Sequence, residues 1–572
     1  MIIREINHGE NVLFEPEDSR ERKYLESFPG FLREGLHFFT PGKPRVVTNL
    51  YARIVKYVKE QNIKFTPYIR DLIAHSGELK DLPVEFNFHT EPLPHQLQAL
   101  RFMWTEGSCG LLLDPGLGKT KVILDYILLM DFSRVIIVCP KPLLHVWPEE
   151  ASKHRPELAS GMYVIQTTDW ESEKEDIDKA RILVTNYNKA VILEAQLMAY
   201  NSNFIGLDEG LIKNYNTDRT KALTRIGRKV PYKCVMSGTL INNSPLDCFA
   251  PLRFIEPAII GEWVTKFKDK YAITARQNRN IVLGFRDMPE IQSILASSCI
   301  VMRKSEWLKD LPEKKFNLVT CRIEDDAMDC YNRLLSDWTF TFEGETIAVE
   351  DALTRLGKLL QIANGFFYVK DEDTLEELSE KVKKKPAKRR TIFFNKQPKV
   401  EVIHKLINDP NRLDNRRAII WFNFQAELEI LEEYLNKEGI NYLVIKGGEK
   451  HVGDKVNLFN NDPSYRFLLG QAKTINYGVT VLGKTEDEDA DVVPEFSTTI
   501  SDQIFYSLNF SLEVFLQQQD RVHRIGQTKT CNYWIISTNS CIESRVWKAL
   551  EDKIFINQSL LVDFSKNVTP LK

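Results

Sequence analysis

The chain has 572 residues, of which 43% are hydrophobic and 27% charged, and a formal net charge of -3. These totals exclude a single hydrophobic core, a disordered chain and a polycation. They predict roughly two to four domains, with any nucleic-acid site confined to a local basic cleft.

The nine cysteines are scattered without a C-x-x-C pair. They read as buried thiols in a reducing compartment, not as a zinc ribbon or a disulfide frame. The chain shows no signal peptide and no run of about 18 apolar residues, so the expectation is a cytoplasmic protein (nuclear if eukaryotic) with no membrane partner.

In chain order, residues 1–85 contain RVVTNLYARIVKYVKEQ, an amphipathic-helix pattern. They are expected to form a small N-terminal accessory domain, either a structural cap or a module for DNA or a partner. CGLLLDPGLGKTKVILDYILLM (Cys109–Met130) then reads as strand, glycine turn and helix. A loop so placed points backbone N–H groups at an anion, with a helix N-terminus behind them. Lys119 would reach the β- and γ-phosphates, and the Thr120 hydroxyl would bind Mg2+. The strict G-x-x-x-x-G-K-[ST] pattern is broken because Leu113 stands at its first position. The alternative is an ordinary glycine turn before a helix.

RVIIVCP (Arg134–Pro140) and RILVTNY (Arg181–Tyr187) are short β-branched runs between helical stretches, as a parallel α/β sheet requires. FIGLDEG (Phe204–Gly210) is a further buried strand ending in two carboxylates. Asp208 suits the metal shell, and Glu209 suits orienting or deprotonating a water; a surface Asp-Glu pair is the alternative. VMSGTL (Val235–Leu240) ends another strand in a small polar turn.

The architecture then repeats. Gly365–Asn395 reads as an inserted hairpin with a charged tip, and seven Lys/Arg fall within Lys381–Arg390. That tip is either a DNA-backbone contact or a solvated loop. RAIIWF (Arg417–Phe422) is a strand; a helix follows with Leu428, Leu431 and Leu435 on one face and Gly439 as its cap. NYLVIKG, YRFLLGQ and CNYWIIS supply more strands. KTEDEDADVVPEF (Lys484–Phe496) is an acidic insertion, read as a surface loop or as a flap over a basic groove. QQQDRVHRIGQTK (Gln517–Lys529) sets Arg521 and Arg524 three residues apart. They are either a solvated helix face or a pair of guanidiniums that stabilises a phosphoryl group in transfer.

The ordered set resembles the Swi/Snf family of DNA-dependent ATPases in helicase superfamily two, over roughly Glu91 to Lys553. LPHQLQAL matches the family's glutamine motif, which makes Gln96 the implied adenine reader. VCPKPLLHVWPEE matches the motif after the first helix. LDEGLIKN resembles the Asp-Glu-Ala-His box with its tail, carrying over Lys213 and Asn214. SGTLINNSPLDCFAPLRFIEP resembles the coupling motif, with Ser237, Gly238 and Thr239. VMRKSEWLKDLPEK resembles the crossover into the second lobe, and TRLGKLLQIANG the helix beyond it. DRVHRIGQ matches the last motif, so Gln517 is implied at the nucleotide and Arg521 and Arg524 as arginine fingers.

The phosphate loop reads LDPGLGKT where the family prefers Asp-Glu-Met-Gly-Leu-Gly-Lys-Thr, yet Gly116, Gly118, Lys119 and Thr120 remain. Gly210-Leu211 replaces Ala-His, which touches coupling, not hydrolysis. TINYGVTV keeps only Gly478 of a glycine-rich motif.

The resemblance implies an α/β fold: two tandem RecA-like parallel-sheet lobes with an ATP cleft between them. The implied boundaries are 86–300 for lobe one, 301–398 for a crossover with the inserted hairpin, 399–553 for lobe two and 554–572 for a tail. The implied function is an ATP- and Mg2+-dependent translocase on double-stranded DNA, of a compact bacterial or viral type. The rival readings are a strand-separating helicase and an ATP-gated DNA clamp.

Overall fold

The computed structural model describes residues 79–565 apart from 239, 242–243, 280, 350, 371–388, 450, 473, 475–479 and 484–497; before 79 it describes 1–6, 11–17, 19–26, 32–34, 37–41, 47, 50, 64–66 and 69. The chain divides into two compact units, Met1–Lys309 with Phe555–Lys572, and Asp310–Ile554.

The first unit opens with a five-stranded sheet of β1 (Ile2–Ile6), β2 (Asn11–Glu15), β3 (Leu32–Glu34), β4 (His37–Pro41) and β5 (Lys64–Phe65), in the order β3-β4-β2-β1-β5. On sequence alone residues 1–85 stand apart as an accessory domain. In the fold, Ile3, Val12 and Phe14 share one buried cluster with Leu112, Leu240 and Phe249 of the main body. The helix pattern around residues 45–61 falls largely outside the described residues.

The main body is a seven-stranded sheet, ordered β14-β6-β11-β10-β7-β9-β8. Its strands are β6 (Cys109–Leu113), β7 (Val135–Cys139), β8 (Met162–Val164), β9 (Ile182–Asn186), β10 (Phe204–Leu207), β11 (Tyr232–Met236) and β14 (Cys299–Met302). The hairpin β12 (Ala272–Thr274) with β13 (Val282–Phe285) lies before the last of them. Every pairing in the seven-stranded sheet is parallel. Strands β6, β7, β9 and β10 are buried at every position. Hence they read as unbroken apolar runs, since helices cover both faces of a parallel sheet. Leu112 packs to one face, and Ile136, Val138, Leu183 and Ile205 to the other. Each such side chain contributes about 1.5–3 kcal/mol.

The second unit holds a six-stranded, all-parallel sheet in the order β15-β24-β23-β20-β22-β21. Its strands are β15 (Lys314–Cys321), β20 (Ala418–Phe422), β21 (Tyr442–Ile445), β22 (Phe467–Gln471), β23 (Asp502–Phe505) and β24 (Cys531–Thr538). Alternate residues of β20 divide between the faces, Ile419 and Trp421 to one core and Ile420 and Phe422 to the other. The two large parallel sheets are the RecA-like lobes expected.

Two boundaries differ from those expected. Strand β14 continues the first sheet to Met302, past the implied edge at 300. The segment 301–398 is not a bare crossover, because β15 pairs with β24 along its whole length and adds a strand to the second sheet. A four-residue apolar run and an alternating edge strand carry too little sequence pattern to separate them from a linker. The hairpins β16 (Thr339–Phe342) with β17 (Glu345–Ala348), and β18 (Phe366–Lys370) with β19 (Arg389–Phe393), follow β15. The charged tip between β18 and β19 and the acidic insertion Lys484–Phe496 lie outside the described residues. All nine cysteines are free; contrary to the expectation of uniformly buried thiols, Cys541 is exposed and Cys321 half-buried.

Candidate functional site

The site of the first unit is built from the carboxyl ends of adjacent parallel strands, where such folds place their ligands. In chain order these strands are β6, β10 and β11. In space β11 lies between the other two, which brings the turns after all three side by side.

After β6 the chain turns through Asp114–Gly118 into the helix Lys119–Leu129. Gly116 and Gly118 have φ of +90° and +80°, the left-handed region that L side chains rarely adopt. At Gly118 space adds a second constraint, because a Cβ there would fall 2.2 Å from Gln96 Nε2. No side chain caps this helix, so its first N–H groups and the positive end of its dipole face the loop. Lys119 is buried and donates its Nζ hydrogen to the Leu113 carbonyl at 3.0 Å. Thr120 is half-buried beside it.

The loop is held from the helix Pro94–Glu106. His95 and Gln96 both donate to the Leu117 carbonyl, His95 from Nε2 at 2.9 Å and Gln96 from Nε2 at 3.3 Å. Burial lowers the His95 pKa, and a carbonyl can only accept, so the neutral ring carries its proton on Nε2. Gln96 Oε1 accepts from the Leu93 backbone N–H at 3.0 Å. The residue expected to read adenine thus has both ends of its amide engaged within the protein. Pro115, the residue that departs from the family pattern, lies where a Cβ on Gly238 would come within 2.9 Å of its Cδ. Ser237 follows β11 and donates its backbone N–H to the Leu111 carbonyl at 3.1 Å.

After β10 come the carboxylates. Asp208 is buried and accepts from Trp147 Nε1 at 3.2 Å, while its backbone carbonyl accepts from the Tyr187 hydroxyl at 2.7 Å. Burial pushes its pKa up to about 7, the neighbouring Glu209 adds to the rise, and Lys119 opposes it. Glu209 holds φ 59°, ψ 13°, a left-handed conformation that costs of order 1 kcal/mol in a non-glycine residue. Lys213 and Asn214 join Leu211, Thr217 and Arg219 around an open depression of about 380 Å3. Thr239 and Gly478 lie outside the described residues. Sequence reading missed His95, Asp114 and Tyr187 as neighbours of the site. Trp147 stood within a quoted motif, but nothing in its spacing pointed at Asp208.

In the second unit the helix Leu512–Gln519 is capped by Ser511, whose Oγ accepts from Val514 N at 3.4 Å. Arg521 is buried and donates Nε to the Gln517 carbonyl at 2.9 Å. Arg524 repeats the same step, Nε to the Asp520 carbonyl at 3.0 Å, and adds Nη1 to Thr480 Oγ1 at 2.6 Å. Each guanidinium is thereby anchored on a carbonyl four residues back, at the end of the helix. Buried Gln517 leaves its Oε1 without a hydrogen-bond partner. Among the described residues no cluster of three or more His, Cys, Asp or Glu could hold a metal, and no helix is long and apolar enough to cross a membrane.

The family model for the SNF2-related domain matches residues 95–379. TATA-binding protein-associated factor mot1 of Schizosaccharomyces pombe is 24% identical over 454 residues, which are 72% of this chain and 22% of that protein. The ISWI chromatin-remodeling complex ATPase CHR11 of Arabidopsis thaliana is 24% identical over 515 residues, 87% of this chain and 46% of that protein. The chain thus spans less than half the length of either relative. The Sulfolobus solfataricus SWI2/SNF2 ATPase core in complex with dsDNA is 19% identical with a TM-score of 0.38, covering 84% of this chain and 95% of that one.

Proposed function

We propose, from the premise that this chain belongs to the Swi/Snf family of helicase superfamily two, that it hydrolyses ATP to move along double-stranded DNA. One observation carries the reading. The glycine loop with Lys119, the Asp208–Glu209 pair and the Ser237–Gly238 turn follow the carboxyl ends of neighbouring parallel strands, at one end of the sheet. That is the set of groups phosphoryl transfer needs: N–H donors and a lysine for the phosphates, and a carboxylate for the water.

In this reading Lys119 leaves the Leu113 carbonyl for the β- and γ-phosphates. Glu209 orients the attacking water and accepts its proton. Arg521 and Arg524 supply positive charge to the phosphoryl oxygens in the transition state. Gln96 and Gln517 serve the nucleotide. Ser237, Gly238, Thr239, Lys213 and Gly478 relay its state to DNA. Asp208 and Thr120 are hard oxygen donors, and the burial that raises the Asp208 pKa is relieved by a cation; both features suit Mg2+. When bound, Mg2+ neutralises charge on the β- and γ-phosphates. On DNA, contacts to the phosphate backbone make binding salt-sensitive and blind to sequence. The protein then works where the DNA is: in the cytoplasm or nucleoid of a bacterial or infected cell, or in a nucleus.

The test is steady-state ATP hydrolysis at one fixed salt concentration with no DNA, single strands, duplex and branched duplex. Duplex stimulation is expected. Stimulation by single strands alone would move the assignment to a strand-separating helicase, and ATP binding without turnover would move it to a clamp.

A further inference from the structure

The parallel register of β14 against β6 pairs Met302 with Leu113. The next residues of the two strands, Arg303 and Asp114, therefore emerge side by side, although 189 positions separate them in sequence. Asp114 is the first residue of the phosphate loop. One of its oxygens accepts from Arg303 Nη1 at 2.9 Å, and the other from the Lys304 backbone N–H at 3.0 Å. Its own N–H donates to the Met302 carbonyl at 3.1 Å. Four residues on from Arg303, the Trp307 ring lies 5.9 Å from the His95 ring, and His95 grips Leu117 near the other end of the loop. The segment Arg303–Trp307 thus holds one end of the loop directly and the other through His95. The chain enters the second unit three residues later, at Asp310.

A carboxylate beside an anion-binding loop repels the anion. Asp114 and Arg303 are each about one-quarter exposed, so water screens that charge only in part. We propose that Arg303 is a positioning residue for the nucleotide: it anchors Asp114 and cancels its charge, so that the phosphate loop accepts a triphosphate. The proposal rests on the ATP reading above. In this role Arg303 acts through Asp114 and not by contact with the nucleotide or the attacking water.

The test is ATP turnover by the full chain with duplex DNA, separating KM from kcat. Arg303→Ala is expected to raise KM for ATP about tenfold, the size of one lost charge-assisted hydrogen bond, with little change in kcat. Arg303→Lys should recover most of the loss. Adding Asp114→Asn to Arg303→Ala should also lower KM, because the repelling charge goes with it. A purely structural bridge predicts the opposite, a double variant no better than the single one. Arg303→Gln gives the same reading should the alanine variant not fold. An unchanged KM in these variants, or no recovery in the double variant, overturns the proposal while the ATP reading stands. If the wild type fails to hydrolyse ATP, or Lys119→Ala matches it, the ATP reading falls and this role falls with it.

Discussion

The two units offer the same local architecture to opposite ends. In each, a five-residue parallel strand buried at every position runs into a helix: β6 into Lys119–Leu129, and β20 into Gln425–Lys437. In the first, glycines open the turn and no side chain caps the helix. In the second, buried Glu427 occupies the equivalent ground. Its Oε2 accepts from the backbone N–H of Asn423 at 2.7 Å, from that of Phe424 at 3.2 Å and from Ser507 Oγ at 2.8 Å. One helix N-terminus has no side-chain cap, and the other has a buried carboxyl group accepting from the backbone just before it. On the proposed reading, the same fold therefore yields a nucleotide site or a sealed core, depending on a few residues at one strand end.

Removing the functional half of this contrast has the largest expected effect. Lys119→Ala should cut ATP turnover by about a thousandfold, measured by phosphate release, with the fold retained by circular dichroism. Near-normal turnover would end the comparison, because the open N-terminus would then serve nothing.

The sealed half should fail in a different currency. Glu427→Ala leaves the half-buried backbone donors of Asn423 and Phe424 and the buried Ser507 hydroxyl without this acceptor. It should lower the stability of the second unit by about 2–3 kcal/mol in urea while leaving ATP affinity of the surviving folded protein intact. A selective loss of ATP affinity at full stability would contradict the assignment of nucleotide binding to the first unit.

A smaller effect is expected at Trp147. Trp147→Phe keeps an aromatic ring but removes the donor to Asp208 and leaves part of a buried site unfilled, at a cost of about 2 kcal/mol in stability. Turnover should fall severalfold, and a variant with full activity would show that this hydrogen bond does not set the carboxylate.

The smallest is a pH dependence. Burial holds the Glu427 pKa above the usual carboxylate range. Its folded pKa thus exceeds its unfolded one, near 4.3, and the stability it contributes is present at low pH and lost as pH rises through the raised value. Glu427→Gln should lack this decline, so wild type should lose stability relative to the variant between acid and neutral pH in paired urea titrations. Parallel pH curves would show that the carboxylate is not raised.

Much of the fold was legible in the residues. VIIVC, ILVTN and AIIWF are apolar throughout because both faces of a parallel sheet are covered, and GLGKT needs its glycines for a turn with positive φ. The lobe boundary was not legible. The run CIVM is too short to announce the strand that extends the first sheet, and β15 has the alternating burial of an edge. Within the candidate site the residue types were readable, but the partners were not. Trp147 reaches Asp208 across 61 positions and Arg303 reaches Asp114 across 189, separations at which no periodic pattern survives.

By itself, then, the sequence determined the local pieces: buried strand, glycine turn, helix, a lysine at the turn and carboxylates after a later strand. Local sterics and hydrophobic periodicity act over a few residues, so they can be read a few residues at a time. Only the tertiary structure decided that β11 lies between β6 and β10, that Asp208 is buried enough to raise its pKa to about 7, that Arg303 faces Asp114, and that Glu427 accepts from the backbone just before its own helix while the helix starting at Lys119 carries no side-chain cap. Burial, desolvation and ion pairing depend on which surfaces meet, and that is settled when the sheets assemble.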